Sequence, residues 1–100
     1  MDIIIEDKLK RHMEDEHLSG LVVELDRCIA CGGSYNTVVS KFLDEYKDID
    51  LSNYDEVDSE VGKIYLLKEG IKYGETLRFV WKSYYWLDGL GVSGATAIIN

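Results

Sequence analysis

The chain has 100 residues, 46% of them hydrophobic and 30% charged, and a formal net charge of −8. That length suits one domain with one core and is too short for two, and the hydrophobic share speaks against a disordered chain. The negative charge speaks against nucleic acid as a partner, because affinity for a phosphate backbone comes from Lys and Arg displacing counterions.

From the N-terminus, Asp2 to Ile5 is a short apolar run that predicts a strand. Glu6 to His17 exchanges β-branched residues for Lys, Leu, Arg, Met and Glu and predicts a helix, with Leu9 and Met13 on its apolar face and Ser19-Gly20 ending it. His12 and His17 are too far apart around that helix to form a two-histidine metal face, and both are expected at the solvated surface.

Leu21 to Arg27 predicts a strand with Leu21, Val23 and Leu25 on one face and Glu24 and Asp26 on the other. It runs into Cys28-Ile29-Ala30-Cys31-Gly32-Gly33, read as a loop whose glycines bring the main chain close to whatever the thiols hold. Thr37 to Asp48 fits helix and strand spacing alike. Asp48 to Glu60 has the polar, acidic composition of a connecting loop, and the acidic residues from Asp44 onward keep a loop or sheet edge solvated.

Val61 to Leu67 and Thr76 to Lys82 are β-rich and suggest an antiparallel pair across Lys68–Gly74. In the second run Leu77, Phe79 and Trp81 take the core face, and Arg78, Val80 and Lys82 point outward. Trp81, Trp86 and Tyr84-Tyr85 are expected to pack in the core rather than form a stacking platform. A bend at Gly89-Leu90-Gly91 then leads to a last strand over Val92 to Ile99. Without proline, repeats or a low-complexity tract, residues 1–100 are expected to form one domain.

No run approaches the roughly eighteen apolar residues of a membrane helix, and the N-terminus lacks the pattern of a signal peptide. The expected location is the cytoplasm, with no membrane partner. In that reducing compartment the C-x-x-C pair of Cys28 and Cys31 points to metal or redox chemistry rather than to a structural disulfide. Thiolates ligate zinc, iron and iron–sulfur clusters, but two sulfurs are half of a four-ligand site, so a second subunit of a homodimer is the natural source of the rest. The same pair also suits a reversible dithiol–disulfide cycle, helped by the nearby Arg27. No Ser-His-Asp set, phosphate loop or paired-carboxylate motif is present to support hydrolase or nucleotide chemistry.

The order of these pieces resembles the HesB-like family, which includes the A-type iron–sulfur carriers and a smaller branch with a CC or Cys-selenocysteine motif. Ser19-Gly20-Leu21-Val22-Val23-Glu24-Leu25 looks like its first core strand, and Cys28 falls where its first loop cysteine is expected. Tyr54-Asp55-Glu56-Val57-Asp58 with Gly62-Lys63-Ile64-Tyr65-Leu66 looks like its acidic stretch and following strand, and Trp86-Leu87-Asp88-Gly89-Leu90 like its closing segment.

The resemblance implies a mainly β (α+β) domain, with a compact set of mostly antiparallel strands and one N-terminal helix, and for that reason Val38 to Leu43 is read as a strand. It further implies an iron–sulfur cluster or metal ion as cofactor and iron–sulfur assembly proteins as partners. The family's C-terminal Cys-Gly-Cys is missing, since the sequence closes with Ile98-Ile99-Asn100. Cys28, with Cys31 as substitute second ligand, is what carries over, supported by the loop backbone at Gly32 and Gly33. A thiol redox protein and a metal-free interaction module, binding through the acidic loop and aromatic-rich half, stand as the alternatives.

Overall fold

The computed structural model describes residues 1–30, 33–84 and 87–98, and the side chains of these apart from 27–30, 33–35, 83–84 and 87–88. Seven strands and one α-helix follow one another as β1 (Asp2–Ile5), α1 (Asp7–Asp15), β2 (Gly20–Ala30), β3 (Gly33–Phe42), β4 (Tyr54–Ser59), β5 (Gly62–Leu67), β6 (Ile71–Tyr84) and β7 (Leu87–Ala97), with short 3-10 turns at Leu43–Glu45 and Leu51–Asn53. The protein is thus mainly β with one N-terminal helix.

The strands form two sheets. One has the order β1-β6-β7 and the other β3-β2-β5-β4. Three ladders are antiparallel; β1 on β6 and β2 on β5 are parallel. Residues of both sheets meet in one core, where Leu21, Val23, Ile64, Leu77 and Phe79 are fully buried. The alternation that predicted β2 and β6 explains this, because every second side chain of a strand lies on the same face. Leu9 and Met13, one helical turn apart, bring α1 onto the same core.

Three expectations are corrected. Tyr54–Ser59 is not a loop but the edge strand β4, with Val57 opposite Ile64. Its exposed Asp55, Glu56 and Asp58 are what an edge strand carries to discourage further pairing, and so its composition imitates a loop. The runs at 61–67 and 76–82 do not pair with each other, since β5 joins β2 and β4 while β6 joins β1 and β7. Gly70, at φ +84°, turns the chain from one sheet to the other, and a Cβ there would stand 2.7 Å from Leu25 Cδ1. Finally, Gly89-Leu90-Gly91 is no bend: the three residues continue β7 opposite Lys82, Trp81 and Val80.

The irregularity in β7 lies further on. Between Tyr73↔Ala95 and Arg78↔Ser93 the ladder shifts register, and Gly94, at φ +94°, faces the Thr76 carbonyl so closely that a Cβ has no room. The shift exchanges which side chains of β7 reach the core, so that Ala95 packs there on one side of it and Val92 and Leu90 on the other.

His12 also departs from expectation. It is half-buried, with its ring against Trp81, because α1 packs on β6 and turns this residue toward Trp81 and toward Phe42 at the end of β3. His17 is exposed, as the sequence predicted, and ends the helix at φ +55°. Trp81 packs against the core; Tyr85 and Trp86 lie outside the described residues.

Candidate functional site

β2 and β3 extend well beyond the rest of their sheet. β5 accompanies β2 only over Gly20–Val23, so from Glu24 to Ala30 the partner of β2 is β3 alone among the described residues. This two-stranded ribbon carries Cys28 opposite Tyr35 and reaches the pair Ala30↔Gly33. Cys28 is therefore a strand residue and not a loop residue, and Gly33 opens β3. The β-rich runs on either side of Cys31-Gly32 pair in one antiparallel register from Leu21↔Phe42 to Ala30↔Gly33. Cys31 and Gly32, between the two strands, lie outside the described residues.

Beside this ribbon a cleft of about 410 Å³ lies between β3 and β7, lined by Asn36, Thr37 and Val38 on one side and by Val92, Ala95, Thr96 and Ala97 on the other. Its polar lining is uncharged, and Asn36 and Thr37 follow directly on the position opposite Cys28.

A polar group that the sequence did not single out sits on the outer face of β2. Glu24, its side chain 17% exposed, pairs with Lys41 of β3 at 3.0 Å. Burial, and then the Glu24 carboxylate, hold the Tyr46 phenol well above its ordinary range, and burial raises Tyr54 as well. The Lys41 ammonium is raised in turn by its bond to Glu24. The arrangement neutralises a carboxylate on a crowded face; the only trace in the sequence is the outward position of Glu24 in the alternation of β2.

Elsewhere, Lys10 of α1 pairs with Glu60 in the β4–β5 turn, at the mouth of a smaller cleft of about 260 Å³ that also touches Met13, Leu18 and Val61. Among the described residues no three His, Cys, Asp or Glu side chains converge as a metal site. Cys31 and the Cys28 side chain lie outside the described residues; by residue type the two are thiol donors, two of the four that a tetrahedral zinc or a cluster takes. Among the described residues no helix is long and apolar enough to cross a membrane. Comparison of the chain with family models, with curated proteins and with solved structures finds no match.

Proposed function

We propose that this chain is a HesB-like protein that binds an iron–sulfur cluster or a metal ion through Cys28 and Cys31, sharing it between two copies and acting with the iron–sulfur assembly machinery of the cytoplasm. The observation that carries the reading is the ribbon of β2 and β3, which holds Cys28 opposite Tyr35, three residues before Cys31 in the sequence. A rigid strand places a ligand more reproducibly than a mobile loop does. The mainly β architecture with a single N-terminal helix is the fold class that the sequence resemblance implies.

As thiolates, Cys28 and Cys31 donate to iron or zinc, and binding releases their protons. Two chains joined at this end supply four sulfurs, a complete set for tetrahedral zinc or a cluster.

Metal and acid-labile sulfide are measured in anaerobically purified protein beside the Cys28→Ala/Cys31→Ala variant, with sedimentation of both. The expected result is metal in the wild type alone, on a species with the mass of a dimer. Metal-free wild type, or equal metal in the variant, overturns the proposal. A loss of two protons in mass on mild oxidation, reversed by a dithiol, then identifies the pair as a redox centre.

A further inference from the structure

The outer face of the sheet β1-β6-β7 carries a row of cations on an otherwise acidic chain. β6 presents Lys72, Arg78 and Lys82 on it, all exposed, on the side opposite the buried Leu77 and Phe79. None of the three takes part in an ion pair among the described residues. On the other sheet the lysines are occupied: Lys41 holds Glu24, and Lys63 holds both Asp58, at 2.5 Å, and Glu56, at 3.4 Å. Among the described residues, then, three exposed cations on one sheet face stand outside the ion pairs of a chain with 19 acidic and 11 basic side chains.

The ground beside them is low. Arg78, Val80 and Lys82 stand opposite Ser93, Gly91 and Gly89 of β7, so the neighbouring strand contributes almost no side-chain height. A Cβ on Gly91 would meet Val80 Cγ2 at 3.0 Å, whereas one on Gly89 would find nothing within 4 Å. Among the described side chains, Asp2 of β1, opposite Thr76, is an acidic neighbour on this face, and Ile4, opposite Arg78, adds an exposed apolar side chain.

We propose that this face docks an extended acidic segment of a partner protein, with two carboxylates four residues apart bridging Arg78 and Lys82. Four residues of a strand span roughly 13 Å in β6 and in an extended peptide alike, so such a segment, laid along β6, brings one carboxylate to each cation. The uncharged residue between them then meets Val80 and Gly91. Charge complementarity selects the occupant, and the overall charge of −8 disfavours long polyanions and anionic membranes while leaving a short segment, held by local contacts, free to bind.

The test uses the full chain and a labelled peptide whose only charges are two glutamates four residues apart, followed by fluorescence anisotropy. Saturable binding that weakens about tenfold in Arg78→Gln and in Lys82→Gln, the loss of one charge-assisted contact each, is expected. Gly89→Leu is expected to block binding with an unchanged melting temperature, and a peptide with adjacent glutamates to bind more weakly. Equal affinity of the two peptides, or affinity untouched by Arg78→Gln and Lys82→Gln, overturns the proposal. So does the absence of binding at millimolar peptide, or binding of phosphatidylserine vesicles in its place.

Discussion

His12 lies flat on Trp81, their ring centroids 3.8 Å apart and their planes within 13° of parallel. Phe42 closes the group at 5.7 Å from His12 and 5.8 Å from Trp81, so a residue of α1 joins the end of β3 to the later part of β6. One ring thereby ties the helix to both sheets. His12→Ala is expected to lower stability by about 1 kcal/mol, the size of one aromatic pair, and to shift the Trp81 emission to longer wavelength as water reaches the indole. Urea unfolding followed by fluorescence measures both; unchanged emission would show that the stack does not shield Trp81.

Ser40 stands opposite Val23 on the core side of β3, 7% exposed, and its hydroxyl has no hydrogen-bond partner among the described residues. A buried hydroxyl without a partner costs more than the apolar atom that replaces it. Ser40→Ala is expected to stabilise the protein by about 1 kcal/mol, read as a higher denaturant midpoint at unchanged slope. A lower midpoint would show that the hydroxyl is satisfied in solution.

Gly94→Ala is expected to be among the most damaging single-methyl changes in the chain. The new Cβ collides with the Thr76 carbonyl, and φ +94° is a conformation that L side chains rarely adopt. A loss of about 2 kcal/mol or more follows from strain of this kind, whereas Gly89→Ala, with open space around it, leaves stability within about 0.5 kcal/mol. Thermal melts of the two variants side by side check the contrast.

Asp44 accepts from the Ser19 backbone N–H at 2.7 Å and from its hydroxyl at 2.9 Å, tying the turn after β3 to the start of β2. The Ser19 backbone bond, with the hydroxyl assisting, holds the Asp44 carboxyl below its ordinary value. A depressed folded-state pKa contributes stability that is present above the unfolded value, about 3.9, and lost as pH falls through the folded one. Asp44→Asn is therefore expected to be less stable at neutral pH and to lose less on acidification. Parallel pH profiles for the two proteins would overturn the assignment.

Burial pushes the Tyr73 phenol up to about 12, while its hydroxyl donates to the Leu67 carbonyl at 2.7 Å. Because the folded protein keeps this proton more tightly than the unfolded chain, the contribution is complete below about pH 10 and is lost as pH rises from there toward 12. Tyr73→Phe is expected to cost about 1 kcal/mol at neutral pH, one hydrogen bond, and to remove a late-ionising phenol from an ultraviolet titration. Retention of that late phenol in the variant would assign it elsewhere.

Much of the strand pattern was legible because burial follows alternation: β2 and β6 show it directly, and Leu9 and Met13 mark the inner face of α1 in the same way. β4 was not legible, since an edge strand rich in Asp and Glu has the composition of a loop. The partners of β5 and β6 were hidden for a different reason: adjacency in sequence suggested a hairpin, and the switch of sheets at Gly70 is a tertiary event. His12 looked like a surface residue because its aromatic neighbours lie far away in the sequence. At the candidate site the two cysteines were visible as a motif, but the ribbon that carries Cys28 depends on where β5 stops pairing with β2, which no local pattern encodes.

The parallel ladder of β1 on β6, with Asp2 opposite Thr76 and Ile5 opposite Phe79, has a consequence for how the molecule is made. During synthesis β1 leaves the tunnel well before β6, and it waits while the strands of the other sheet, β2 to β5, emerge. Pairing across so long a loop is entropically slow. Ile3, Ile4 and Ile5 therefore stay uncovered until β6 has emerged, and chaperone binding during translation is expected to concentrate on this segment.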